Sequence, residues 1–295
     1  YRGWIMNTYE ITPVEKHNGI YYKRDDLYAP YGDVNGGKVR QTIEIIENCN
    51  IESGIIASTS VHSPSSTIFS RVAKEYNIPC IIAVGGTKPE NLDKLPMMRV
   101  CKYFGAEVRI VAGHGYKNAI TAQIKKVQRE NGYYNPDFSK HIHTHPELMF
   151  VNTAQVSNIP DDLDVLVAPM GSGIQFANIL RGLHEHKKSV KRVIGVHVGP
   201  DRRKLIDSYL TSQSLWDERI NYKYELMQYE LQFPHSYSKS EKQIVSEGTT
   251  PEFELDDLYE AKAHKWMLNN IVSDKVLFWC VGRRFFDGME SIFAV

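Results

Sequence analysis

The sequence is poor in cysteine, with four in 295 residues (Cys49, Cys80, Cys101 and Cys280) and no C-x-x-C pair. That excludes a disulfide scaffold and a paired-cysteine zinc or redox motif. It leads us to expect a reduced, cytoplasmic protein with buried thiols. There is no long hydrophobic run: none approaches the roughly 20 residues that span a bilayer. The opening stretch YRGWIMNTYE lacks the apolar core of a signal peptide, so no membrane partner is expected. No charge of one sign dominates either. Lys plus Arg is 35 and Asp plus Glu is 35, which argues against a whole-chain electrostatic grip on nucleic acid and leaves only local basic patches. Internal repeats and low-complexity linkers are also missing.

What is present is an ordinary globular composition, 42% hydrophobic and 24% charged, with length for one large domain or two ordinary ones. Short apolar runs alternate with amphipathic stretches. GIYYKRDD, SGIIAST, IPCIIAVG, AEVRIVAG, DVLVAP, KRVIGVHVG and DKVLFWCVG read as strands. KVRQTIEIIENCN, SSTIFSRVAKEYN, ENLDKLPMMRVCKYFG, YKNAITAQIKKVQRENG and IQFANILRGLHEHKK read as helices between them. Buried runs of four to eight residues alternating with helices predict an α/β protein with mostly parallel sheets. Residues 200–250 carry no motif and read as a helix plus surface loops. HIHTH, read as an extended strand, sets His141, His143 and His145 on one side, a spacing that suits a metal; no cysteine or carboxylate of fitting spacing supports it, and no metal is expected.

In open parallel sheets ligands bind at the carboxyl ends of the strands. Four loops there carry chemistry. In YAPYGDVNGGKVRQ, Gly36 and Gly37 strip side-chain bulk from in front of Lys38, at a helix start. A helix N-terminus and a dry pocket both favour the neutral, nucleophilic amine. A plain glycine turn with a solvated lysine is the other reading. In VLVAPMGSGIQFANILRGL, Gly171, Ser172 and Gly173 open a helix, where backbone N–H groups can cradle one phosphate. No Gly-Lys-Ser/Thr follows, so this is not a P-loop, and Phe176 stands where a dinucleotide fingerprint needs its third glycine. ASTSVHSPSSTIFSRVA is dense in hydroxyls: Ser63 can cap the helix that Pro64 starts, hold a substrate carboxylate, or both. His62 beside it is either a proton carrier or structural. In LDDLYEAKAHKWM, Tyr259 and Glu260 are adjacent: an unremarkable helix surface, or a phenol and a carboxylate serving a ligand nitrogen.

A lysine amine, a phosphate cradle, a carboxylate and a phenol together suggest pyridoxal phosphate, and the segments resemble one group of its enzymes. The chain resembles the tryptophan-synthase-β-like enzymes, fold type II, and within them the 1-aminocyclopropane-1-carboxylate deaminase and D-cysteine desulfhydrase family. YKRDDLYAPYGDVNGGKVRQ is similar to that family's KRED…GGNKTRK segment, which implies that Lys38 is the Schiff-base lysine. The hydroxyl loop takes the place of GGIQSNHTRQVAA, with Ser63 on the family's serine. APMGSGIQFANILRGL is similar to the phosphate loop, placing Gly171, Ser172 and Gly173 on the phosphate. LDDLYEAKA is similar to TDPVYEGKS, which implies a catalytic Tyr259 and puts Glu260 on the pyridine nitrogen. KVLFWCVGRR is similar to the last strand, KVLYAHLGG. The segments run in family order over nearly the whole chain. Four departures suggest a rebuilt substrate-facing wall: Pro64 replaces an asparagine, Gly37 replaces the asparagine before the lysine with Asn35 nearby as a cofactor contact, Val281-Gly282-Arg283 replaces Gly-Gly, and the Trp279-Cys280 pair differs.

The resemblance implies two three-layer α/β domains: a large cofactor-binding domain of residues 1–41 and 145–295, and a small inserted domain of residues 42–144. It also implies a homodimer. The expected function is that of a lyase or deaminase acting on a small amino acid through a stabilised carbanion, with Lys38 moving the proton at the α carbon and Ser63 holding the carboxylate. Two alternatives stand beside it. One is an enzyme, such as a decarboxylase, for an amino-acid group carried on a nucleotide or DNA base, as in viral thymine hypermodification, with Arg283 and Arg284 offering local positive charge. The other is a degenerate fold that binds without turnover.

Overall fold

The computed structural model describes residues 7–51, 53–115, 117–199, 201–211, 229–235, 251–289 and 292. In chain order these form β1 (Val14–His17), β2 (Ile20–Arg24), α1 (Gly37–Asn48), β3 (Ile55–Ser58), α2 (Pro64–Glu75), β4 (Cys80–Gly85), α3 (Pro96–Tyr103), β5 (Glu107–Ala112) and α4 (Lys117–Asn131). They continue with α5 (Phe138–Thr144), α6 (Pro146–Met149), β6 (Leu163–Met170), α7 (Ile174–Glu185), β7 (Val190–Val198), α8 (Arg203–Leu210), β8 (Glu230–His235), α9 (Glu260–Asn270) and β9 (Val276–Cys280). The chain is a mixed α/β protein of the expected class. Much of the 200–250 stretch lies outside the described residues; α8 and β8 are its described elements.

The chain divides into two compact units, one of Tyr1–Tyr28 with Ile142–Arg283, the other of Ala29–His141 with Arg284–Val295. The sequence placed these boundaries after residues 41 and 144 and put Lys38 with the larger unit. Instead Lys38 and α1 belong to the second unit, where α1 packs on α2. The last residues join it too: Phe286 stacks on Phe104 and Arg99 donates to the Ile292 carbonyl at 3.0 Å.

The first unit holds a six-stranded sheet in the order β1-β2-β9-β6-β7-β8. All neighbours are parallel except the β1–β2 hairpin. Side chains alternate across a strand, so each strand feeds two layers. Val165, Val167, Ile194, Val196, Val276 and Phe278 face α9 and meet its Ala261, Ala263 and Met267. Gly195 faces the opposite layer, where the Met170 sulfur, flanked by Leu231 and the Phe176 ring of α7, fills the space that its missing side chain leaves. The second unit holds the parallel sheet β3-β4-β5. Ile120, Ile124 and Val127 of α4 cover Ile56, Ile81 and Ala83 there. The four cysteines are free and buried. Among the described residues no helix is long and apolar enough to cross a membrane.

HIHTH is helical rather than extended. Asp137 Oδ1 accepts the Ser139 N–H at 3.1 Å and its hydroxyl at 2.6 Å, which starts α5. About 100° of turn per residue points His141 and His143 to opposite sides. His141 is bonded to the Tyr134 hydroxyl and to the Asp137 carbonyl.

Candidate active site

The second unit presents the amine. Asp33 pairs with Arg71 at 2.7 Å, and the guanidinium lies 4.5 Å from the Tyr31 ring centre, which pins the loop before α1. Asn35 is buried at the end of that loop. Gly36 then enters α1 at φ +89°, a conformation that favours glycine. Lys38 is the second residue of the helix, and its Nζ donates to Ser65 Oγ at 3.0 Å. Among the described residues no carboxylate pairs with it. Burial brings its pKa down from 10.5 to about 8, so a neutral, nucleophilic fraction exists near neutral pH.

Ser63 and Ser65 divide two tasks. Ser63 Oγ accepts the Ser65 N–H at 3.2 Å and caps α2, with Pro64 in the first turn. The hydroxyl that reaches Lys38 is that of Ser65, which the sequence reading passed over. The signal was there: once Pro64 marks Ser63 as the cap, the hydroxyl just beyond it is the next candidate. Ser63→Ala is expected to cost about 1 kcal/mol of stability and to leave Lys38 alone. Ser65→Ala is expected to lower the Lys38 pKa below about 8, because the Ser65 oxygen accepts from the charged amine and so favours it. The pH dependence of the chain's reaction with pyridoxal phosphate, beside the melting curves, reads both. His62 lies in the same loop, and partial desolvation of its ring, then the charge of Arg284, holds its pKa below the usual value.

The first unit carries its own candidate groups at the carboxyl edge of its sheet. After β6 come Gly171, Ser172 and Gly173. Gly173 has φ +85°, and a Cβ there would meet Ile206 Cγ1 at 2.8 Å; a Cβ on Gly171 would lie 3.1 Å from the Tyr259 ring. Ser172 therefore carries the turn's one side chain, at the head of a twelve-residue helix whose first amides have no intrahelical partner. Tyr259, the residue before α9, lies directly against it.

Glu260 begins α9 and is fully buried. Its Oε2 accepts the Asp256 N–H at 2.9 Å and its Oε1 the Gly282 N–H at 3.0 Å. Asp256 in turn accepts the Leu258 and Tyr259 N–H groups, which fixes the approach to the helix. Nearby Asp26 is held by a two-point contact with Arg24, at 2.9 and 2.8 Å. Burial, then the charges of Asp26 and Asp256, raise the Glu260 pKa from 4.5 to about 8. Asp26 has its cation; among the described residues Glu260 has none. Asp26 lies in the YKRDD segment, but nothing in sequence spacing tied it to a carboxylate more than two hundred residues away.

Each of these groups, taken by its own chemistry, suits one part of pyridoxal phosphate. Lys38 is an amine lowered toward neutrality, suited to an aldehyde. Glu260 is a buried carboxyl that lacks a cationic partner, which a protonated pyridine nitrogen provides. Gly171–Gly173 is a turn whose two glycines leave backbone amides, with the Ser172 hydroxyl between them, suited to a phosphate.

Comparison with known proteins agrees. Residues 6–217 match the family described as "Pyridoxal-phosphate dependent enzyme". The O-seryl-dTMP PLP-dependent decarboxylase of Salmonella phage ViI is 30% identical over 234 residues, 70% of this chain and 55% of the relative. The chain thus spans about half the length of the curated relative it matches. Among solved structures, an ACC deaminase homologue superposes with TM-score 0.68 at 19% identity, covering 97% of this chain and 94% of the other. O-ureido-L-serine synthase gives TM-score 0.62 at 12% identity, covering 98% and 94%. Threonine deaminase isoform 2 from Solanum lycopersicum gives 0.60 at 13%, covering 98% and 84%. At these identities the structures establish the fold, that of the fold type II enzymes.

Proposed function

Since the chain belongs to the pyridoxal-phosphate-dependent enzyme family and has its fold type II architecture, we propose that it decarboxylates an amino-acid group carried on a nucleotide. The observation that carries this reading is the 30% identity to a phage decarboxylase named for O-seryl-dTMP, against 12–19% for the structures named above. One local feature supports it. Where the deaminases place an asparagine, this chain starts α2 with Pro64, which has neither an amide side chain nor a backbone N–H. A carboxylate that must leave as CO2 is better held loosely, and a substrate that keeps its carboxylate is better held tightly.

Pyridoxal phosphate supplies the electron sink for the pair left at the α carbon. The protein does the rest. Glu260 would keep a proton at the ring nitrogen, and the Gly171–Gly173 amides would hold the phosphate. Lys38 would hold the cofactor by its aldehyde, and as a free amine near pKa 8 it would deliver a proton to the α carbon. Ser65 orients that amine, and Tyr259 stands beside the phosphate turn as acid or base toward the substrate. The net change is one proton consumed and one CO2 released, with the amino group retained.

The second reading is α,β-elimination or deamination of a small free amino acid. It is favoured by the Tyr259–Glu260 pair, which lies in register with the deaminases. Incubation with pyridoxal phosphate and either O-seryl-dTMP or a panel of free amino acids separates the two. Release of CO2 without ammonia from the nucleotide, and little turnover of free serine, is the expected result. Ammonia and a keto acid from free amino acids, with no CO2 from the nucleotide, would overturn it.

A further inference from the structure

His197 is a buried histidine that no step above uses. Ile194 and Val196 of β7 face α9, so Gly195 and His197 face the other layer, where Phe176 of α7 and Met170 lie over Gly195. In the β6–β7 register His197 stands beside Met170, the residue just before Gly171. Its side chain therefore points into the layer headed by the Gly171–Gly173 turn. The imidazole is 0% exposed and stacks on Phe233, with ring centres 5.4 Å apart. Neither ring nitrogen has a hydrogen-bond partner among the described residues.

Arg202 precedes α8 on the far side of the same turn. Its Cβ lies 3.9 Å from where a Cβ on Gly173 would be, and its buried Nε also lacks an acceptor among the described residues. Burial and the charge of Arg202 bring the His197 pKa down from 6.5 to about 4, so the ring is neutral, with one N–H to donate. Two carboxylates lie in this region. Asp201 accepts the Arg203 N–H at 2.7 Å and Asp207 accepts the Tyr229 hydroxyl. The turn is thus ringed by donors without acceptors: the first amides of α7, an imidazole N–H and a guanidinium N–H. A buried unpaired donor is destabilising, and a phosphate oxygen is the complementary partner.

We propose that His197 and Arg202 are phosphate ligands that complete the Gly171–Gly173 site, with the phosphate of pyridoxal phosphate as occupant. This rests on the reading of that turn as the cofactor's phosphate seat. A nucleotide substrate's phosphate has the same chemistry, so the test separates the two sources.

Dissociation constants for pyridoxal phosphate and for pyridoxal, which has no phosphate, are measured by absorbance on the wild type, His197→Phe, Arg202→Gln and Gly173→Ala. Expected is a loss of roughly tenfold or more in affinity for pyridoxal phosphate in both ligand variants, with pyridoxal unaffected. The cofactor-free His197→Phe chain should melt no lower than the wild type, because the substitution keeps the ring stack and removes an unpaired polar group. If Gly173→Ala loses the preference for pyridoxal phosphate while His197→Phe and Arg202→Gln keep it, the turn is the phosphate seat and the two side chains are not its ligands. If those two variants keep cofactor affinity but lose thermal stabilisation by dTMP, the occupant is the substrate's phosphate and the assignment to the cofactor fails. If all three variants keep the preference, the phosphate seat lies elsewhere and the reading of the turn fails with it.

Discussion

Lys38→Ala is expected to reduce turnover by roughly a thousandfold or more, because in the proposed function one amine would serve as both covalent anchor and proton carrier. Stability should move the other way. The Lys38 pKa is brought down from 10.5 to about 8 by burial, so folding disfavours its charged form. A base shifted downward contributes most above its unfolded pKa, and that contribution is lost as pH falls through about 8. At neutral pH the folded chain carries a poorly solvated ammonium with Ser65 Oγ as its hydrogen-bond partner. Removing it is neutral or stabilising. Melting curves of wild type and variant without cofactor should therefore differ most in the variant's favour at or below pH 8 and converge above pH 10. A variant that is inactive because it is misfolded would instead melt lower at every pH. The visible absorption of the cofactor bound to the protein should be present in the wild type and lost in the variant.

The parallel core was legible because buried strands at the centre of an α/β sheet are apolar on both faces and stand out as short continuous runs, as in DVLVAP and KVLFWC. The edges were not. Strand β1 is the four residues VEKH, too short and polar for a periodicity argument, yet the turn after it was readable. Asn18 and Gly19 both have positive φ (51° and 85°), and Asn-Gly between two strand segments is a strong hairpin signal. Strand β8 contains Pro234, which argues against a central strand and is tolerated at an edge. HIHTH failed for a different reason: five alternating residues are compatible with either period, and the Asp137 cap that decided for helix lies four residues before that stretch.

The candidate site was legible where one residue type has one use. Two glycines before a lysine, and a Gly-Ser-Gly at a strand–helix junction, both point to close backbone approach by a ligand. It was illegible where function depends on which of several equivalent groups points inward. Ser60, Ser63, Ser65 and Ser66 share one loop, and only the helix that starts at Pro64 decides that Ser63 caps while Ser65 meets the amine. His197 looked like any residue of a buried strand. Its interest comes from the missing partners around it, which no local pattern encodes.

Glu260→Gln is expected to retain cofactor and to lose turnover by roughly 10²- to 10⁴-fold, since an amide cannot hold a proton at the ring nitrogen as a carboxylate does. The pH dependence of stability gives an independent check. With its pKa raised from 4.5 to about 8, Glu260 binds its proton more tightly in the folded chain than in the unfolded one. Its contribution is thus full below about pH 4.5 and is lost as pH rises through about 8. Glutamine carries no such dependence, but it has one carbonyl oxygen for two donors. The Asp256 or the Gly282 N–H is left without an acceptor, at a cost of about 1–3 kcal/mol. The cofactor-free variant should therefore melt clearly below the wild type at pH 5, and the gap should narrow or close by pH 8.5. A gap that stays constant across this range would mean that Glu260 is ionised throughout. Wild-type turnover in the variant would mean that the ring nitrogen does not depend on it. A narrowing gap together with lost turnover identifies one buried carboxyl as both the stability switch of the empty chain and the proton holder of the loaded one.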